Sequence, residues 1–156
     1  MADDPTTTID RARRDDRDPL VGIWLRSVRA THGFLTEDDI QGLLPEVRDY
    51  LHADDPELWV LRDATGAPLG FMGMAGSDVA ALFLAPEHHR RGGGRRLIRF
   101  AQDLRGELTV SVNEQNPGAI RFYEACGFVV ESRSATDDDG RPYPLLRMRL
   151  AAPVTA

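Results

Sequence analysis

Apolar residues recur along this chain at two periods, and each period marks a different element. Val21, Trp24, Leu25 and Val28 stand at i, i+3, i+4 and i+7, one face of a helix from about Asp18 to Ala30. Thr36 before Glu37, Asp38 and Asp39 reads as a second helix start, with a hydroxyl to cap the first N–H groups and acids at the positive end of the dipole. Pro45 is expected to break that helix and to open a short one to about Leu51, because proline has no N–H to donate. Leu97, Phe100, Ala101 and Leu104 mark a helix from Gly94 to about Arg105. Ala119, Phe122, Tyr123 and Cys126 mark another, with Asn116 as cap, Pro117 at its first position and Gly127 as stop.

Between these helices the polar and apolar residues alternate at a period of two, or run apolar over short stretches bounded by turn residues. Strands are expected at Thr6 to Ala12, Leu58 to Arg62, Leu69 to Ala75, Asp78 to Leu84, across Leu108, Val110 and Val112, at Phe128 to Arg133 and at Tyr143 to Leu150. Asp63-Ala64-Thr65-Gly66 and Asp137-Asp138-Asp139-Gly140 read as hairpin turns, and Pro86 closes the fourth strand. The order β-α-α-β-β-β-α-β-α-β-β describes one sheet packed by helices, an α/β layered domain over residues 1–156, with Met1 to Pro5 frayed.

Composition narrows the function classes. The 156 residues, 42% hydrophobic and 28% charged, suit one ordinary domain. A net charge of −6 opposes a nucleic-acid partner. No apolar run approaches the roughly 20 residues of a membrane span, and Met1 to Pro19 holds no signal-peptide segment, so a cytoplasmic protein of bacterial type without membrane partners is expected. Cys126 is the only cysteine, which excludes an intrachain disulfide, and its place on a helix stripe marks it for packing. His88 and His89 are adjacent and lie near no Cys/His spacing, so no metal is expected. All 19 basic residues are arginine.

The segment richest in chemistry runs from Leu82-Phe83-Leu84 through Ala85-Pro86-Glu87-His88-His89-Arg90-Arg91 to Gly92-Gly93-Gly94-Arg95. It leaves a strand and enters a helix through three glycines. Glycine admits positive φ and close approach of a ligand to the main chain, and the unpaired N–H groups of the following helix favour an anion such as a pyrophosphate. Arg90, Arg91, Arg95 and Arg96 add positive potential. The P-loop needs a lysine that this chain lacks, and the dinucleotide fingerprint Gly-x-Gly-x-x-Gly is not matched.

Pro86 to Gly94 resembles the acetyl-CoA signature Arg/Gln-x-x-Gly-x-Gly/Ala of the GNAT acetyltransferases, with Gly92 and Gly94 matched and His89 at the position of the Arg or Gln. Asn116-Pro117-Gly118-Ala119-Ile120-Arg121-Phe122-Tyr123-Glu124-Ala125-Cys126-Gly127-Phe128 resembles the same family's block Asn-x-x-Ala-x-x-Phe-Tyr-x-x-x-Gly-Phe. Ile23 to Val28, Ala30-Thr31-His32, Leu58-Trp59-Val60, Val112 to Asn116 and Gly140 to Leu146 are similar to the YjaB-type bacterial members. The resemblance implies a mixed, mostly antiparallel sheet of about seven strands, splayed between the fourth and fifth, with about four flanking helices. It implies acetyl-CoA as cosubstrate: Leu82, Phe83 and Leu84 beside the pantetheine arm, His89, Arg90, Arg91, Gly92, Gly93, Gly94 and Arg95 around the pyrophosphate, and Asn116 and Tyr123 opposite. The acceptor implied is an amine, either a protein lysine or a small molecule such as a polyamine, attacked directly in a ternary complex by a monomer or homodimer. A lysine-free chain offers no side chain of its own for that reaction.

Attack of an amine on a thioester needs a proton acceptor, an oxyanion donor and a proton donor for the leaving thiolate. Tyr123 is the expected proton donor, and a backbone N–H near Phe83 or Leu84 the oxyanion donor. For the base, Glu114, Asp78, His32, His52 and an ordered water chain stand as alternatives; Ser111 occupies the position where some relatives carry a glutamate. His32, Phe34, His52 and Trp59 are expected near the acceptor. The competing class is a non-catalytic sensor of acetyl-CoA with the same fold.

Overall fold

The computed structural model describes residues 6–152, so the fraying expected at Met1 to Pro5 lies outside the described residues. Its sheet has seven strands, β1 (Thr8–Arg11), β2 (Glu57–Arg62), β3 (Pro68–Ala75), β4 (Asp78–Leu84), β5 (Leu108–Asn113), β6 (Val129–Ser134) and β7 (Leu145–Leu150). They are ordered β1-β2-β3-β4-β5-β7-β6. The helices are α1 (Arg17–Thr31), α2 (Glu37–His52), α3 (Gly93–Arg105) and α4 (Pro117–Ala125). Every strand pair is antiparallel except β4 with β5. The mixed sheet and the element order are those expected.

Alternation along the strands divides the core between two faces. Leu58 and Val60 of β2 and Phe71 of β3 join Leu20, Ile23, Trp24 and Val28 of α1 and Ile40, Leu44 and Leu51 of α2. On the opposite face Leu61 and Met72 meet Leu97, Ile98 and Ala101 of α3. Leu108, Val110 and Val112 of β5, with Tyr123 of α4 and Met148 of β7, continue that second core.

The capping expectations hold at both sites. Thr36 Oγ1 accepts from the Asp39 N–H at 3.1 Å while Asp39 accepts from the Thr36 N–H, a reciprocal box. Asn116 Oδ1 accepts from the Ala119 N–H at 3.1 Å. Pro45 departs from expectation: α2 runs through it unbroken. Pro45 and Gln41, whose carbonyl loses its partner, are both exposed, so that carbonyl faces water, while buried Ile40, Leu44 and Leu51 hold the helix on either side. The last strand starts at Leu145 rather than Tyr143, because the Tyr143 N–H is taken by Arg141 O at 2.8 Å in a turn.

One polar cluster is buried in the half built from β1 to β4. Arg62 donates from both terminal nitrogens to Asp16, at 2.8 and 2.7 Å, and from Nε to Asp10 at 2.6 Å. Asp16 also accepts from the Arg13 N–H at 2.6 Å, which ties the entry to α1 onto β2.

Candidate active site

The site begins where β4 and β5 part. They pair only at Asp78 with Thr109 and Val79 with Val110. Against β3, Gly73 faces Ala81 while Met74 faces Val79, so Ala80 is an extra residue. A bulge of this kind bends a strand and increases its twist, and it sits just where the pairing with β5 stops. Ala81, Leu82, Phe83 and Leu84 are consequently half-exposed although their strand is central, whereas the neighbouring Phe71 to Met74 are buried. The result is an apolar cleft with β4 on one wall.

The chain leaves this wall through the glycine turn. His89 Nε2 lies 3.0 Å from the Leu84 carbonyl, so the ring donates to the strand end and anchors the loop. Arg90 has φ of 62° and Gly92 φ of 84°; the first is a strained setting for a residue with a side chain. The glycines turn out to have different reasons. Gly92 serves the backbone conformation. A Cβ on Gly93 would fall 2.8 Å from Leu61 Cδ2, and one on Gly94 2.9 Å from Phe122 Cζ, so these two let α3 pack closely against β2 and α4. Unlike α2 and α4, α3 has no side chain capping its N-terminus. Its first N–H groups are therefore left to another acceptor. Arg90, Arg91 and Arg95 are exposed around this end.

Tyr123, from α4, is buried at 7% exposure, between Phe122 at 5.0 Å and Phe128 at 5.3 Å, both edge-on. Burial pushes its phenol well above the ordinary value, with nearby Cys126 and Asp78 adding to the rise. The proton thus stays on the phenol oxygen until a strong base develops beside it. Burial likewise raises the Cys126 thiol, which fits the packing role and not a nucleophile.

A cavity of about 220 Å³ opens beside the cleft. Trp24, Val28, Leu35 and Leu43 give it an apolar floor, and Asn113 and Asp137 its polar positions. His32, Phe34, Phe83 and Tyr143 form an aromatic arc: ring centroids are 5.5 Å apart for His32 and Phe34, 6.5 Å for His32 and Phe83, and 6.0 Å for Phe34 and Tyr143. Desolvation pulls His32 below the usual imidazole range. Asp137 is already engaged: its Oδ1 accepts from the N–H groups of Asp139 and Arg141 at 3.0 and 2.8 Å. Arg141 in turn reaches Glu46 of α2 at 2.7 Å, which fastens the loop to the cavity rim.

Of the four residues expected near the acceptor, His32 and Phe34 line this cavity and two do not. His52 pairs with Asp18 at 2.9 Å on the outer surface. Trp59 stacks edge-on against Phe100 at 4.7 Å and donates to Glu57, on the α3 face of the sheet. Both follow from strand and helix phase, which the aromatic character of a residue does not reveal. Glu114 is paired with Arg133. Asp78 accepts from Thr109 Oγ1 at 2.8 Å at the paired end of β4. Ser111 accepts from Arg147 at 3.2 Å. Asn113, Asp137 and Tyr143 were not anticipated as cavity residues; the end of β5 and the loop before β7 that carry them meet through the β5–β7 pairing. A larger hollow, about 330 Å³, lies between β1 and α3 against Ile9, Arg96 and Phe100 and includes none of the expected catalytic or cofactor-binding residues. Among the described residues no helix is long and apolar enough to cross a membrane.

Comparison with known proteins agrees with this geometry. The family profile for an acetyltransferase (GNAT) domain matches residues 54–130. The peptidyl-lysine N-acetyltransferase YjaB of Escherichia coli strain K12 is 43% identical over 141 residues, 90% of this chain and 95% of its own length. The enzyme of the same name from Salmonella typhimurium strain LT2 is 41% identical over 140 residues, 90% of this chain and 95% of its own length. The solution structure of the apo form of YjaB from Escherichia coli superposes with a TM-score of 0.87 at 41% identity, over 94% of this chain and 99% of that one.

Proposed function

We propose, from the premise that this chain belongs to the GNAT acetyltransferases and transfers an acetyl group to an amine, that the donor is acetyl-CoA held between β4 and β5 and the acceptor a protein lysine. The observation that carries this reading is the parting of β4 from β5, which leaves the apolar stretch Ala81 to Leu84 half-exposed in mid-sheet.

The residues present fit that donor. Leu82, Phe83 and Leu84 offer an apolar wall and backbone groups to the pantetheine arm. The uncapped start of α3, from Gly92 to Arg95, offers N–H groups and a positive dipole end to the pyrophosphate. Arg90 and Arg91 add charge on the way in. Asn116 uses its Oδ1 to cap α4, which leaves its amide nitrogen for the arm from the opposite wall. Bound there, acetyl-CoA supplies the activated acyl group. Tyr123 holds the proton for the departing sulfur, and a main-chain N–H near Phe83 or Leu84 meets the developing oxyanion.

The cavity favours lysine over a polyamine. Its walls are aromatic and apolar, suited to a methylene stem ending in one amine, and its single carboxylate, Asp137, is already engaged by backbone donors and faces Arg141. A polyamine brings further charges that find no uncommitted carboxylate among the lining residues. The relatives YjaB are named for acetylating peptidyl lysine, which supports the same choice and leaves the sensor alternative without support.

Calorimetric titration with acetyl-CoA tests the donor site. Wild-type protein is expected to bind, and Arg91→Glu to weaken binding at least about tenfold, since it removes a positive charge and sets a carboxylate beside the start of α3. Gly92, at φ of 84°, is unsuitable because a side chain there strains the turn. Gly94 is unsuitable for this purpose because its substitution strikes Phe122. A well-folded wild type that does not bind acetyl-CoA overturns the reading.

A further inference from the structure

We propose that His32 is the base that frees the acceptor amine, its Nε2 taking the ammonium proton while the Thr31 hydroxyl holds the ring in the Nδ1–H tautomer. This rests on the amine acetyltransferase reading above and adds the group that the sequence left open.

The tautomer follows from counting hydrogens. Thr31 Oγ1 lies 2.8 Å from the Ser27 carbonyl and 2.8 Å from His32 Nδ1. The carbonyl has no hydrogen to give, so the single hydroxyl hydrogen lies on that bond. The contact with the ring is then an N–H donated by Nδ1, and Nε2 carries a lone pair. Helix geometry sets the relay: Thr31 is the last residue of α1, four residues after Ser27, and His32 is the residue that caps the helix end. The imidazole is thereby fixed to the end of a helix and lines the cavity beside Phe83, which belongs to the parted stretch of β4.

The other groups around the cavity do not compete. From β5, Asn113 is neutral and its Oδ1 accepts from the Gln115 N–H at 3.0 Å. From the loop before β7, Asp137 is engaged by two backbone donors and lies 3.7 Å from Arg141, and Tyr143 presents a phenol. Trp24 and Val28 of α1, Leu43 of α2 and Phe83 of β4 carry no charge. Burial lowers the proton affinity of His32, so the ring is neutral at pH 7 and ready to accept.

The step balances. The lysine ammonium gives one proton to Nε2, and the nitrogen lone pair then forms the bond to the thioester carbonyl carbon. The carbon–sulfur bond breaks, and its electron pair leaves on sulfur. Nitrogen gives up its second excess proton, Tyr123 protonates the sulfur and is reprotonated by an equivalent one, and His32 releases its own to solvent. One amide, one thiol and one free proton result.

The test is the pH dependence of thiol release with acetyl-CoA and two acceptors, an α-N-blocked lysine peptide and spermidine. For wild type, kcat should fall on the acid side with an apparent pKa below about 6.5, the unperturbed histidine value. His32→Ala should lower kcat about 10²-fold, retain acetyl-CoA affinity, lose the acid limb and recover in part when imidazole is added. Thr31→Val, which keeps the ring, should lower kcat severalfold. A folded His32→Ala that keeps wild-type kcat or its acid limb, or gains nothing from imidazole, overturns the proposal alone. Wild type that binds acetyl-CoA but acetylates neither amine overturns the transferase reading and this proposal together.

Discussion

The two halves of the sheet are built differently. β2 and β3 are buried from both sides, by α1 and α2 on one face and α3 on the other. β5 buries Leu108, Val110 and Val112 on one face only, while Thr109, Ser111 and Asn113 stay half-exposed on the other. That second face carries a polar ladder in place of a helix: Arg147 of β7 donates to Ser111 and Thr109, each at 3.2 Å, and lies 3.3 Å from Asp78. β6 is exposed along its whole length. The difference shows how one sheet can be rigid and open at once. The three-layered half fixes the wall of the cleft, and the two-layered half leaves one face of β5 without a covering helix. Their boundary is the bulge at Ala80.

Breaking the seam between the halves is expected to have the largest effect. Tyr123→Phe removes the hydroxyl proposed as proton donor and keeps the ring that packs on Phe128, so kcat should fall about 10²–10⁴-fold with little change in acetyl-CoA affinity. Steady-state thiol release beside calorimetry separates the two. Next comes the staple of the rigid half. Arg62→Ala leaves Asp16 buried without its partner and should cost about 3–5 kcal/mol, read as a lowered denaturant midpoint. The same staple predicts acid sensitivity. The Arg62 hydrogen bonds hold the Asp16 carboxyl below its usual range, against the opposing effect of burial. Its contribution is therefore complete above the unfolded carboxyl value of about 3.9 and is lost as pH falls through the lower folded value. Unfolding below pH 4 should be less steep in the Arg62→Ala protein. The smallest effect belongs to the open face, where Ser111→Ala should change stability by no more than about 0.5 kcal/mol and leave acetyl transfer intact.

Much of this was legible in the sequence because it is written in local rules. The stripe through Val21 to Val28, the Thr36 and Asn116 caps and the two family signatures each lie within a short stretch, and the structure has the elements where they point. Pro45 misled because a propensity rule does not know that its side of the helix faces water. Gly93 and Gly94 read as ligand glycines beside Gly92, and only the three-dimensional approach of Leu61 and Phe122 shows that packing also requires them. Trp59 and His52 were expected near the acceptor because their segments cover the cleft in the family they resemble, and the partners that hold them elsewhere, Phe100 and Asp18, lie far off in sequence. The cavity was least legible, since Asn113, Asp137 and Tyr143 join His32 only after β5 and β7 have paired.

That pairing has a consequence for how the protein comes into being. β7 lies between β5 and β6, so Leu108 meets Leu150 and Asn113 meets Leu145 across the intervening helix, strand and loop. As the chain emerges from a ribosome, the antiparallel strands β2 to β4 can form in turn from neighbouring segments, while β5 must wait with one edge unpaired. β7 follows β6 in the chain and is the strand through which β6 joins the sheet. The β5–β7–β6 side of the sheet is therefore completed after β1 to β4, and a chain interrupted before β7 holds half a cleft.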